Sequence, residues 1–204
     1  MKEIINFFSA PYTGVTAFYI TLEIVAVFFG IASVLYAKKE NIWVFPTGII
    51  STVLYVYICY QFTLYGDLVI NLYYTLMSFY GWYLWNHKTS GQSIEITKSN
   101  PLDMLKALGI FIFTAAFVVG VYLYYDRFDR LTDYLDTFTS GIFFVGMWLM
   151  AQKKIEHWMF WILGNLISIP LYFVKGLGFS GLQFTIFLVL AIQGYIEWKK
   201  HLNK

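Results

Sequence analysis

Residues Trp158–Lys175 read WMFWILGNLISIPLYFVK, and this stretch decides the class of fold. It has about the length needed to cross a bilayer, since a spanning helix takes roughly 20 mostly apolar residues. It is not uniformly apolar. Trp161, Asn165, Ser168 and Tyr172 recur at i, i+4, i+7 and i+11, which places them in one stripe along a helix. An amide without a partner in hydrocarbon is costly, so the stripe faces protein, ligand or water rather than lipid. Polar residues also serve as glue between membrane helices, and that reading competes with a binding role. Gly164 and Pro170 are expected to interrupt the helix, and breaks of this kind tend to mark binding sites.

The rest of the chain agrees with a membrane setting. Its 204 residues are 59% hydrophobic and only 13% charged, which excludes an ordinary soluble domain. Seven apolar segments emerge, at about Thr16–Tyr36, Trp43–Phe62, Leu68–Trp85, Leu105–Tyr125, Thr137–Gln152, Trp158–Val174 and Phe179–Trp198. The IINFF run near the start is too short to span and is expected to be an interfacial turn. Met1–Ala10 lacks the pattern of a signal peptide. Lys38, Lys39, Lys88, Lys98, Lys106, Lys153, Lys154, Lys199, Lys200 and Lys204 fall on one side, and only Lys2, Arg127, Arg130 and Lys175 on the other. The positive-inside rule then puts the N-terminus outside and the C-terminus in the cytoplasm. The net charge of +2 points to no nucleic-acid partner, and Cys59, alone, is expected to be a small core residue.

Segments one to three repeat in segments five to seven. Phe28-Phe29, Lys38-Lys39, Trp43, Phe45, Tyr57 and Gly66 recur 115 positions later as Phe143-Phe144, Lys153-Lys154, Trp158, Phe160, Tyr172 and Gly181. GWYLW (Gly81–Trp85) is answered by GYIEW (Gly194–Trp198) at an offset two residues smaller. With one helix between them, both triplets enter the membrane from the same side, so the repeats are parallel. The expected fold is an all-α integral membrane protein of seven transmembrane helices in a 3+1+3 arrangement. Residues 1–15 form an interfacial segment and 16–85 the first repeat. Residues 86–136 hold a cytoplasmic loop, the linker helix and an outer loop, and 137–204 the second repeat with its tail. Pro46 and Gly48 in one repeat, with Gly164 and Pro170 in the other, are the candidate hinges.

Further polar residues point to a central site. Asn71, Tyr74, Ser78 and Trp82 make a second stripe on the third segment, and Gln183 lies on one face of the seventh with Gln193 and Glu197. Gln193 and Glu197 approach the cytoplasmic end, where solvation competes with any binding role. Asn71, Asn165 and Gln183 offer neutral amides, while Trp161, Tyr74 and Tyr172 offer faces for a planar ring. The implied ligand is small, planar and polar. Glu23 is the carboxylate read as lying well inside a segment; it would bind a cation, relay a proton or reach water. His87, His157 and His201 sit at the cytoplasmic edge, where solvated or lipid-facing roles are expected and no metal is. No cofactor is expected, and no HExxH, P-loop, dinucleotide fingerprint or GxSxG is present to suggest an enzyme.

The runs LYGDLVINLYY…FYGWYLW, KKIEHWMFWILGNLISIPLYFVKGLGFSGLQ and FLVLAIQGYIEWKK resemble the PnuC-type vitamin transporters, best known for nicotinamide riboside. The resemblance covers nearly the whole chain. It implies a seven-helix, pseudo-symmetric fold similar to fused three-helix units of the SWEET sugar transporters. It also implies a homotrimer in the bacterial inner membrane, facilitated diffusion of nicotinamide riboside, and trapping of the substrate by a cytoplasmic kinase. Trp161 and Asn165 match ligand-contacting positions of the family's sixth helix. Asn71 stands where many relatives carry glutamine, and Ser78 where many carry asparagine. A thiamine transporter, or one for another vitamin or nucleoside, is the alternative within the family, and a non-transporting membrane protein the alternative outside it.

Overall fold

The computed structural model describes residues 7–8, 10–62, 65–87, 94–124, 128 and 130–202. Seven long helices account for the seven apolar segments: α1 (Ala17–Lys38), α2 (Val44–Gln61), α3 (Tyr65–Asn86), α4 (Pro101–Tyr124), α5 (Leu131–Ala151), α6 (His157–Val174) and α7 (Gly178–Leu202). Six of them are long and apolar enough to cross a membrane by length and composition. The seventh, α3, has the length, at 22 residues, but its apolar character is diluted by Asp67, Asn71, Ser78 and a run of tyrosines. Among the described residues the only strand-like pairing is an isolated parallel bridge between Thr97 and Lys154, which ties the segment before α4 to the α5–α6 turn. Ser99 reinforces it, donating from its backbone N–H and its hydroxyl to Glu156 Oε2 at 2.9 and 2.8 Å. Most of IINFF lies outside the described residues, but Phe7 and Phe8 pack on Phe173 and Phe179, with centroids 6.5 and 5.1 Å apart.

Packing separates the chain into two like halves. Neighbours in sequence pack together, α1 on α2 on α3 and α5 on α6 on α7, while α4 packs on α5. Between the halves α1 meets α7 and α3 meets α5, so first and third helices exchange roles as a two-fold relation requires.

The register of that relation differs from the one read in the sequence. Helix α2 runs from Val44 to Gln61 and α6 from His157 to Val174, while α3 begins at Tyr65 and α7 at Gly178. Each pair of boundaries is 113 positions apart, as 157 less 44, and not 115. The matches at 115 are coincidences of an aromatic-rich background: Trp43 is 56% exposed, whereas Trp158, its supposed mate, is 2% exposed. At the true register Phe45 answers Trp158, Gly81 answers Gly194, and Trp85 answers Trp198. A Cβ on Gly81 would lie 2.3 Å from the Phe45 ring, and one on Gly194 2.5 Å from the Trp158 ring. Only glycine lets these helices approach so closely. Edge-to-face contacts follow in both halves, Phe45–Trp85 at 5.0 Å and Trp158–Trp198 at 5.8 Å. Each of the last two tryptophans then reaches across: Trp85 Nε1 donates to Ala151 O at 3.2 Å, and Trp198 Nε1 to Ala37 O at 2.9 Å.

The turns after α1 and α5 complete this closure. Glu40 and Lys153, again 113 apart, both take the left-handed conformation, with φ 55° and 52°. They pair with each other, Lys153 Nζ to Glu40 Oε1 at 2.7 Å, and the ammonium lies 4.4 Å from the Trp85 ring centroid. This closed end of the bundle, which carries the lysine pairs, is called the lysine end below. His157, expected at a solvated or lipid-facing edge, is instead fully buried there. Trp158 and Trp198 cover it, with ring centroids at 4.4 and 4.6 Å. His201 does reach the surface, 3.5 Å from Glu40 Oε2. Cys59 is a free, buried thiol.

Candidate binding cavity

The stripe on α6 lines a cavity of about 1160 Å³ between the two halves. Trp161, Asn165, Ser168 and Tyr172 all face it, because positions three and four apart share a helix face. The positions 113 earlier on α2 face it from the other half: Gly48, Thr52, Tyr55 and Cys59. Asn71, Tyr74 and Ser78 of α3, Gln183 of α7 and Glu23 of α1 line it too. These residues, picked out from separate segments, converge on one space, whereas Trp82 of α3 packs against the buried core cluster instead. Gln193 and Glu197 do not join them. They lie about 15 and 21 Å further along α7 at 1.5 Å per residue. There Gln193 accepts a hydrogen bond from Lys38 Nζ at 2.8 Å, and Glu197 pairs with Lys200 at 2.9 Å.

Aromatic rings surround the middle of the cavity. The Trp161 indole stacks on Phe143 at 5.3 Å with an interplanar angle of 29°, and lies 6.4 Å from Tyr74. Phe143 continues the stack to Phe184, at 6.0 Å, and Tyr172 closes on Phe184 at 4.8 Å. Behind them Tyr73 lies flat on Phe144, at 3.8 Å, and donates its hydroxyl to the Phe144 carbonyl at 3.0 Å. Beside the rings are polar atoms without partners among the described residues. Asn165 and Ser168 are 2% and 1% exposed, yet Asn165 Oδ1 and Ser168 Oγ make no hydrogen bond among the described residues. Buried polar atoms are nearly always paired, so these two point to a ligand or water held in the cavity. Asn71 is partly engaged, its Nδ2 donating to Asp67 O at 2.8 Å.

The expected interruptions of α2 and α6 are absent, since both helices run unbroken. Pro46 is the third residue of α2, where an N–H has no helical acceptor in any case. Pro170 falls in the last turns of α6, which continues through it. Gly164 is filled from outside: a Cβ there would lie 2.2 Å from the Phe143 ring, so the glycine seats the ring that stacks on Trp161. Of the four, only Gly48 lines the cavity.

Sequence reasoning missed the charges at the end opposite the lysines. Asp67 and Asp136 line the cavity there with Glu23, while the hydropathic segments were begun at Leu68 and Thr137, one residue after each carboxylate. The helices start earlier, at Tyr65 and Leu131, and carry both acids inward. The bounding turns held the signal, because an acid in a helix's first turns is favoured by its dipole. Lys175 pairs with Asp136, which also accepts a hydrogen bond from the Tyr122 hydroxyl at 3.1 Å. Glu23 accepts from the Tyr12 hydroxyl at 3.1 Å. Burial, and then the nearby Glu23 charge, push the Tyr12 phenol up to about 12, so it remains a donor at neutral pH. Among the described residues no group of three or more His, Cys, Asp or Glu side chains is placed to hold a metal ion.

A polar, ring-lined cavity between two like halves of a multi-helix membrane bundle is the architecture of a membrane carrier. Comparison with known proteins places it more closely. The family described as nicotinamide mononucleotide transporter matches residues 20–200, and the chain belongs to that family. It is 31% identical over 190 residues to the nicotinamide riboside transporter PnuC of Neisseria mucosa, spanning 88% of this chain and 72% of the relative. The Escherichia coli protein of the same name is 25% identical, over 87% of this chain and 84% of the relative. A riboflavin/roseoflavin transporter, RibM of Streptomyces davaonensis, is 26% identical over 83% of this chain and 80% of its own length. The crystal structure of the vitamin B3 transporter PnuC superposes with a TM-score of 0.68, covering 94% of this chain and 85% of that one; at 24% identity it supports the fold.

Proposed function

We propose that this chain is a uniporter for nicotinamide riboside. The observation that carries the reading is the union of Trp161, stacked in an aromatic box, with the unpaired amide oxygen of Asn165 and hydroxyl of Ser168 in one cavity. A flat heterocycle suits the rings, and a ribose suits the neutral amide and hydroxyl groups. Two relatives named for nicotinamide riboside support the choice of substrate. The two halves rock about the cavity, opening it to alternate sides, with the closed lysine end facing the cytoplasm and the N-terminus outside. Transport runs down the gradient, a cytoplasmic kinase traps the product, and the chain works as a homotrimer. The riboflavin-transporting relative supports a second reading, a carrier for another flat-ring vitamin such as riboflavin or thiamine.

Calorimetry on purified protein with nicotinamide riboside, thiamine, riboflavin and nucleosides tests the substrate. Tightest binding to nicotinamide riboside is expected, and a clear preference for another vitamin overturns it in favour of that vitamin. Liposomes then test the energetics: internal substrate should level off at the external concentration without sodium, a proton gradient or ATP. Accumulation above that level under a proton gradient would sink the uniport reading.

A further inference from the structure

The end of the cavity opposite the lysines carries charges that the ring-and-amide site does not use. Among the described lining residues are three carboxylates, Glu23, Asp67 and Asp136, and one cation, Lys175. The Lys175–Asp136 ion pair cancels one of each, and its ammonium is held 5.4 Å over the Tyr172 ring. Glu23 and Asp67 remain, and among the described residues neither is in an ion pair. Among the described residues the wall thus holds two more carboxylates than cations, and its one lysine is already paired. A second, independent observation points to a ligand deeper in the same cavity. Asn165 Oδ1 and Ser168 Oγ, both almost fully buried and unpaired among the described residues, line the same cavity ten and seven residues before Lys175, about two to three helical turns further in.

Low-dielectric walls amplify the field of charges at the mouth of a cleft, raising the local concentration of counter-ions and repelling like charges. We propose that Glu23 and Asp67 act as a charge filter that makes this cavity select flat-ring substrates bearing a fixed positive charge over neutral and phosphorylated ones. The proposal rests on the reading of the cavity as a vitamin site and narrows its substrate class. Nicotinamide riboside carries a quaternary pyridinium and thiamine a quaternary thiazolium, so both satisfy the filter. The riboflavin ring is neutral at pH 7 and gains nothing from it. A phosphomonoester brings about two negative charges into a wall whose cation, Lys175, is already paired, so the nucleotide is excluded.

The experiment compares substrates that differ in charge more than in shape. Nicotinamide riboside and its 1,4-dihydro form differ by one added hydride, which removes the positive charge and keeps the carboxamide and ribose. Purified wild-type protein should bind the cation about ten-fold more tightly than the dihydro form, and nicotinamide mononucleotide more weakly than either. Asp67→Asn and Glu23→Gln should each lower the cation-to-neutral ratio several-fold, and the double variant should bring it near one. Asp67→Glu, which keeps the charge, should keep the ratio. An unchanged ratio in the double variant, melting normally, overturns the filter while leaving the substrate reading intact. If the wild type binds neither form, the nicotinamide riboside reading fails, and thiamine against riboflavin reads the filter instead: the cation bound more tightly supports it, the neutral ring overturns it.

Discussion

At the lysine end the two halves do the same work with matched parts. Phe45, Gly81 and Trp85 make the ring-on-glycine contact and edge-to-face pair that Trp158, Gly194 and Trp198 make 113 positions later, and each half sends an indole to a carbonyl of the other. Within one turn along the same helices the likeness ends. Gly48 stands where the other half has Trp161, Thr52 where it has Asn165, and Tyr55 where it has Ser168. A Cβ on Gly48 would meet the Ser33 and Ser78 hydroxyls at 3.1 and 3.6 Å, so the first half presents bare backbone and small hydroxyls where the second presents an indole. Closing a cavity between two halves is a symmetric task, and holding a small asymmetric ligand is not. At the matched pairs Gly48/Trp161 and Thr52/Asn165, the second half supplies the stacking face and the amide, and the first the room.

Variants can break this comparison at either end. The largest effect is expected at the Glu40–Lys153 pair, whose lysine is buried and whose glutamate is about a quarter exposed. Glu40→Lys sets two ammoniums together and should cost about 3 kcal/mol of stability, the low end of the usual range for a fully buried pair. Exchanging both residues should recover most of that in a thermal or denaturant melt. No recovery would mean the turns are not interchangeable.

Next come the cavity positions. Stacking is worth about 1–3 kcal/mol per ring, so Trp161→Ala should weaken nicotinamide riboside binding roughly ten- to a hundred-fold. Asn165→Leu should weaken it by about ten-fold, because it leaves a ligand group unpaired. The matched changes in the first half, Gly48→Ala and Thr52→Val, should cost about two-fold each. Equal losses from both halves, measured by calorimetry, would refute the unequal division of labour. If Asn165 were only helix glue, its loss would lower the melting temperature and leave affinity intact.

Gly81→Ala and Gly194→Ala force a methyl into an aromatic ring and should each cost about 1.5 kcal/mol of stability, alike to within a few tenths. Among the stability changes, the smallest are expected from Trp85→Phe and Trp198→Phe. Each removes one indole–carbonyl bond between the halves, about 1 kcal/mol. A large inequality within either pair, read by thermal melting, would show that the closed end is less symmetric than its geometry.

Much of this was legible in the chain itself. The α6 stripe was readable because a polar residue inside a twenty-residue apolar run is expensive, and so Trp161, Asn165, Ser168 and Tyr172 had few places to face. Asn71, Tyr74, Ser78 and Gln183 reached the same cavity for the same reason. The register was not readable, because phenylalanine and tyrosine recur so often that chance matches at 115 outnumber those at 113. His157 was misplaced because its burial depends on Trp198, distant in sequence. Asp67 and Asp136 were missed because hydropathy marks where apolar runs begin, while helices begin where backbone hydrogen bonds do, several residues earlier here.

The Glu40–Lys153 pair has a consequence for ancestry. The two residues occupy matched positions and touch, so the pseudo-two-fold axis passes between them. In a true homodimer of a three-helix chain, the residue on such an axis meets its own copy. Glutamate would face glutamate there, or lysine lysine, and neither forms an attractive pair while both stay charged. Only after duplication and fusion, with the two copies free to mutate separately, can the axis hold opposite charges. That contact is thus one that a self-associating ancestor had no means to encode.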